Sequence, residues 1–287
     1  MGLFGRERIE AKTHEQVVLM RAAGLLVGRT LELLRTSVRA GMTTKELDAV
    51  AESHIRDGGG TPSFLGYHGF TGTLCTSVNE EVVHGIPGGR VLEDGDLLSI
   101  DCGAIVSGWH GDAAISLIVG GREAGRPEDL ELIDDTEASM WAGVTALAVG
   151  QSLYAVGAAV EDSLTASGTQ RGREYGIVED YVGHGIGTSM HMDPQVPNYR
   201  VSGKGPLVVD ATTIAIEPMV TLGPEANRVL EDNWTVVTND GSRAAHWENT
   251  VAVTSQGLWV LTEVDGGEAK LRTRRDLCPT DVTLRTC

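Results

Sequence analysis

Behind Thr43 and Glu46, apolar side chains recur at helical spacing in Leu47, Val50 and Ala51, the pattern of an amphipathic helix opened by a capping box. The same spacing returns 109 residues later. There Val149-Gly150-Gln151-Ser152 precedes Val156, Ala159 and Val160 just as Ala40-Gly41-Met42-Thr43 precedes the first set. Helices are predicted near residues 14 to 37, 44 to 57, 128 to 148 and 153 to 167. The chain therefore reads as two related halves, each a helix pair leading into strands. Extended runs are predicted near 74 to 78, 97 to 106, 112 to 119, 178 to 183, 212 to 220, 227 to 238, 247 to 254 and 258 to 263. Turn dipeptides at Gly88-Gly89, Asp94-Gly95, Gly120-Gly121 and Asp240-Gly241 separate them. Val106-Ser107-Gly108 reads as a hairpin turn.

Residues 138 to 160 carry no Asp, Glu, Lys or Arg and are long enough for a membrane span. Ala, Gly, Ser and Thr dominate the stretch and Gln151 interrupts it, so two packed helices are expected instead. No low-complexity linker divides the chain. One catalytic domain over residues 1–263 and a tail over 264–287 are expected, and 287 residues at 41% hydrophobic content suffice for a large core.

A formal charge of −17 argues against a nucleic-acid-binding surface, which needs clustered Lys and Arg. The one basic cluster, Lys270 to Arg275, lies in the expected tail. The N-terminus has no apolar run long enough for a signal peptide. Four cysteines without a CxxC pair suit free thiols, which points to a reducing cytoplasm.

Against this background five residues of metal-ligand type stand in apolar runs or glycine turns: Asp101, Asp112, His184, Glu217 and Glu248. With 40 acidic residues in the chain, a single Asp or Glu is ordinarily a solvated charge. Glu217 differs because Ile214, Ile216 and Met219 flank it and Pro218 blocks ladder pairing after it. An acid at the end of a buried strand needs a cation or a donor nearby. Four carboxylates and one imidazole can hold two divalent ions, and the imidazole favours Co, Mn, Fe or Zn over purely hard cations.

The order and surroundings of these residues resemble the bacterial type I methionine aminopeptidases. The resemblance covers roughly residues 10 to 263 and rests on Gly66-Tyr67-His68-Gly69-Phe70, Asn79-Glu80, His84-Gly85-Ile86-Pro87, Ile100-Asp101 and His110-Gly111-Asp112. It continues through Gly183-His184-Gly185-Ile186-Gly187, Pro194-Gln195-Val196, Ile216-Glu217-Pro218-Met219, Trp234-Thr235-Val236 and Glu248-Asn249-Thr250. It implies the α+β pita-bread fold, with pseudo-twofold halves and a curved antiparallel sheet backed by helix pairs.

It also implies metal-dependent removal of initiator methionine from nascent polypeptides and peptides when the second residue is small. Asp112 and Glu248 would bridge two metals, Asp101 would chelate one, and His184 with Glu217 would complete the other. Glu217 would serve as general base, His84 would contact the scissile amide, and His191 would stabilise the oxyanion. The methionine side chain would lie among Phe64, Tyr67, Phe70, Cys75, His84, Met190 and Trp234. Two of these depart from the commonest pattern, with Phe64 where Cys is frequent and Met190 where Phe is frequent, which puts the pocket's shape in doubt. A monomer is implied, and the basic tail raises the ribosome as a contact.

Two other readings compete. A proline-specific aminopeptidase or prolidase can share the five-ligand logic, but such relatives usually carry an additional N-terminal domain. A non-catalytic binding module of the same fold is disfavoured because the five ligand positions and both histidines are kept.

Overall fold

The computed structural model describes residues 9–271. Four helices carry the helical pattern: α1 His14–Ser37, α2 Thr44–Asp57, α3 Pro127–Thr145 and α4 Ala155–Arg171. Both α1 and α2 open with capping boxes, Thr13 with Gln16 and Thr43 with Glu46, which satisfy amide groups that the first helical turn leaves free.

The central sheet has nine strands, all paired antiparallel. Its longest element is the hairpin Leu97–Val106 and Trp109–Ile118, turned at Ser107 and Gly108, both at positive φ. Period-two alternation sorts the hairpin's faces. Leu98, Ile100, Cys102 and Ala104 enter a core with α1 and α2, which leaves Ser99, Asp101 and Gly103 on the other face. A second, larger core packs α3 and α4 against strands Thr212–Ile216 and Glu248–Thr254. The helix pairs thus cover one side of the sheet, and the polar positions line the other.

The two halves share local structure as well as pattern. Gly41, at φ 87°, donates to Leu92 O at 2.8 Å, and Leu92 donates back to Met42 O. In the second half Gly150, at φ 85°, donates to Val208 O at 2.8 Å, and Val208 donates back to Gln151 O. Thr43 bridges Val91 as Ser152 bridges Leu207. Each helix pair is tied to its half by the same clasp.

Several expectations differ in detail. The run 212–220 is broken at Glu217-Pro218, with strands Thr212–Ile216 and Met219–Thr221 on either side. The run 227–238 is a hairpin of Asn227–Val229 and Val236–Thr238, because Asp232 accepts hydrogen bonds from the Trp234 and Thr235 amides and closes a turn. Of the run 178–183 only Gly183 lies in a strand, Gly183–Gly185, and the short strand Gly176–Ile177 ends before the run begins. Strands Glu81–Val83, Met192–Val196 and Ala244–His246 have too little apolar alternation to be legible. Residues 264–271, assigned from sequence to the tail, continue as turns that end with Leu271 buried in the larger core. Arg272, Arg274 and Arg275 of the basic cluster lie outside the described residues. Among the described residues no helix is long and apolar enough to cross a membrane.

Candidate metal centre

Sheet register brings the first carboxylates together. Asp101 pairs with Ala114, which pairs on its other side with Glu248, so the two acids flank a small side chain on one face. Asp112 pairs with Gly103, two residues from Asp101 on the same face, making Asp101 and Asp112 diagonal neighbours. The Thr250 hydroxyl donates to Asp112 O at 2.8 Å and accepts from Asp112 N at 3.1 Å, which pins that strand to the one carrying Glu248.

His184 arrives from the strand Gly183–Gly185. A Cβ on Gly183 would lie 2.4 Å from Ala215 O, and one on Gly185 would lie 2.1 Å from Asp193 O. Only glycine on both sides of His184 lets the neighbouring strands close on it. The His184 Nδ1 lies 3.0 Å from Gly185 O, an acceptor only. Nδ1 must therefore carry the proton, which leaves the Nε2 lone pair free for a metal. Nε2 is 3.4 Å from Glu217 Oε1. Burial, then the proximity of His191, lowers the pKa of His184 to about 3, so its ring is neutral.

Glu217 sits where Pro218 interrupts the sheet. The Asn198 side-chain amide donates to Glu217 O at 3.1 Å and Trp247 N donates to Pro218 O at 3.3 Å, so the interruption is held from both sides.

The electrostatics of this cluster fit bound cations. Asp101, Asp112, Glu217 and Glu248 each hold a buried carboxylate oxygen without a hydrogen-bond partner. Burial, chiefly, pushes Asp101 up to about 7, and burial with mutual repulsion pushes Asp112, Glu217 and Glu248 well above the carboxylate range. Ligand atoms of Asp112, His184 and Glu248 lie within 4.8 Å of one another. At that separation two carboxylates repel by roughly 3 to 4 kcal/mol for an effective dielectric near 20. Divalent cations remove both the repulsion and the unmet hydrogen-bonding capacity.

These five residues line a cleft of about 320 Å³ together with Phe64, Tyr67, Phe70, Cys75, His84, Met190, His191 and Trp234. Every site residue inferred from the sequence is in that one cavity. Phe64, Phe70, Cys75 and Met190 form a buried apolar cluster with Tyr67 and Trp234 against it. A Cβ on Gly103 would lie 2.7 Å from the Phe64 ring, so that glycine makes room for the aromatic wall. Cys75 lies opposite Asp101 in register, and burial followed by the Asp101 charge pushes its thiol up, keeping it neutral.

His84 stands at φ 60°, a left-handed conformation that costs a non-glycine residue about 1 kcal/mol or more. Its ring packs edge-on to Tyr181 and Trp234, and burial lowers its pKa to about 4. His191 packs on His184 with centroids 4.3 Å apart and lies 2.9 Å from the Tyr67 hydroxyl through Nδ1.

Sequence reasoning missed Asp180, Tyr181 and Gln195 in the lining and Asn198 beneath Glu217. Asp180 and Tyr181 lie in a loop within the run 178–183 that the sequence presents as extended, and Asn198 acts on a carbonyl 19 residues away. The Asp232-Asn233 turn that carries Trp234 was also missed, because it lies inside a run read as extended from the sequence.

Comparison with known proteins agrees with this geometry. Residues 18–255 match the model of metallopeptidase family M24. The chain is 49% identical over 261 residues to methionine aminopeptidase 1 of Mycobacterium tuberculosis, covering 91% of this chain and 97% of that one. It is 43% identical over 256 residues to methionine aminopeptidase 1 of Bacillus subtilis, covering 89% and 100%. The crystal structure of methionine aminopeptidase from Thermotoga maritima superposes with a TM-score of 0.84 at 36% identity, covering 89% of this chain and all of that one. Prolidase from Pyrococcus furiosus, at 19% identity and TM-score 0.66 over 88% of this chain and 65% of that one, shares the fold. A buried cluster of four carboxylates and one imidazole on a pita-bread sheet, with relatives of this identity across nearly its whole length, means that the chain belongs to metallopeptidase family M24, among the methionine aminopeptidases.

Proposed function

We propose that Asp101, Asp112, His184, Glu217 and Glu248 hold a pair of divalent cations, with which the protein hydrolyses the bond after an N-terminal methionine when the second residue is small. The observation that carries the metal assignment is the set of four buried carboxylates with unpartnered oxygens facing one apolar cleft. Asp112 and Glu248 would bridge the ions, Asp101 would complete one, and His184 with Glu217 the other. Co, Mn, Fe and Zn all suit this mixture of oxygen and imidazole. When bound, such ions make water nucleophilic near neutral pH and polarise the scissile carbonyl.

The side chains divide the remaining work. Glu217 takes the proton from the attacking water as general base. His191 donates an N–H to the oxygen that gains charge. His84, neutral at working pH because burial lowers its pKa, contacts the scissile amide and assists the departing amine. Phe64, Tyr67, Phe70, Cys75, Met190 and Trp234 surround the thioether, with aromatic edges and sulfur matching a polarisable side chain. The acidic chain favours substrates with a free ammonium group. The substrates are nascent polypeptides and peptides in the cytoplasm, handled by a monomer. Ribosome contact is assigned to the basic tail, and an unchanged ribosome co-sedimentation after deletion of residues 272–287 would remove it.

The test is chelator-stripped protein incubated with Met-Ala-Ser, with released methionine followed by chromatography before and after Mn or Co is added. Release only after metal is the expected result; full turnover by the stripped protein overturns the proposal.

A further inference from the structure

We infer that Tyr67 is a positioning residue for His191, its hydroxyl holding the imidazole in the one tautomer that can donate into the cleft. This rests on the oxyanion role given to His191 above and reassigns Tyr67, which the sequence presents only as pocket wall.

The loop carrying Tyr67 is built to hold it still. Gly66, His68 and Gly69 all have positive φ, at 87°, 47° and 91°. The loop closes on itself through Tyr67 N to Phe64 O at 2.9 Å, Gly66 N to Phe70 O at 2.8 Å and Phe70 N to Tyr67 O at 2.9 Å. The Tyr67 ring packs edge-on to His68 at 4.4 Å and tilts against His191 at 5.5 Å. From this frame the hydroxyl reaches 2.9 Å from His191 Nδ1, across 124 residues of sequence.

Between a phenol and a neutral imidazole the better donor is the phenol O–H and the better acceptor is the imidazole lone pair. The proton on Tyr67 therefore points to Nδ1, and the ring proton of His191 sits on Nε2. A histidine's working nitrogen is commonly set by the bond that its other nitrogen makes. His184 beside it shows the complementary case, with Nδ1 protonated towards a backbone carbonyl so that Nε2 accepts. Two adjoining imidazoles, 4.3 Å apart, are thus held in opposite tautomers by different Nδ1 partners. One offers a lone pair and the other an N–H to the same cleft.

The test is Tyr67→Phe in the metal-loaded enzyme, alone and combined with His191→Ala. Tyr67→Phe is expected to lower kcat on Met-Ala-Ser about fivefold, the usual worth of one neutral hydrogen bond, with KM within about twofold. In the His191→Ala background it is expected to change nothing further. The 15N shifts of the His191 ring in Zn-loaded protein are expected to move from the Nε2–H pattern towards mixed tautomers. Should Tyr67→Phe not fold, 3-fluorotyrosine at position 67 keeps the hydroxyl as a stronger donor, and a shift at His191 Nδ1 is the result expected. Additive losses in the double variant, a KM effect alone, or unmoved 15N shifts in either protein would overturn the inference. Wild-type turnover in His191→Ala would instead overturn the role of His191 on which the inference rests.

Discussion

The amide of Asn198 donates to the carbonyl of Glu217 at 3.1 Å, where Pro218 prevents the sheet from continuing. Glu217 thus has its side chain in the metal cluster and its backbone tied to a buried amide outside it. Asn198→Leu keeps the volume but removes the donor. It is expected to cost about 1–3 kcal/mol of stability, the usual penalty for an unpaired buried polar group, and to weaken Mn binding in calorimetry. Unchanged metal affinity would show that the backbone at Glu217 needs no such tie.

Glu217→Gln and Asp101→Asn are expected to abolish turnover while circular dichroism remains that of the parent. Each amide fits the space but cannot match the charge and basicity of a carboxylate. Near-normal release of methionine by either variant would show the site to be misassigned.

Metal removal is expected to be visible in stability as well as activity. A ligand at about 100 times its Kd stabilises the folded state by roughly 2.7 kcal/mol, so saturating Mn should raise Tm by several degrees. In Asp112→Asn the rise should largely vanish, because Asp112 sits with both His184 and Glu248. Equal Tm increments in the two proteins would place the cation elsewhere.

A pH effect is expected far from the cleft. Burial would raise the pKa of Asp135, but hydrogen bonds from Arg171 and Tyr175 outweigh it and hold the group below its ordinary value. A depressed folded-state pKa means stability that is fully present above about pH 4 and is lost as pH falls through the folded value. Asp135→Asn should therefore be destabilised by about 1–3 kcal/mol at pH 7, with the gap to the parent closing as pH falls below the ordinary carboxylate range. Denaturant midpoints across pH check this, and a gap that widens in acid would reverse the sign of the argument.

Much of the site was legible because acids do not belong in apolar strands without a reason. Asp101 between Ile100 and Cys102, and Glu217 between Ile216 and Pro218, carried that signal locally. The hairpin at Ser107-Gly108 and the α2 capping box were equally local, and both fell where expected. What escaped depended on partners distant in sequence. Asn198 matters through Glu217 O, and Tyr67 through His191 Nδ1. The run 227–238 misled because Val229-Leu230 and Trp234 to Val237 are separated by only three polar residues, Glu231-Asp232-Asn233, while the two oxygens of Asp232 turn the chain between them. Residues 264–271 looked like tail because one buried side chain, Leu271, is too little pattern to announce a packed turn.

The most direct test of the account is mass spectrometry of a peptide panel beginning Met-Gly, Met-Ala, Met-Lys and Ala-Pro, incubated with stripped enzyme before and after Mn is restored. Loss of methionine from the first two alone, and only with metal, is the expected result. Cleavage of the Ala-Pro peptide, or no cleavage with Mn, Co, Fe or Zn, would contradict it.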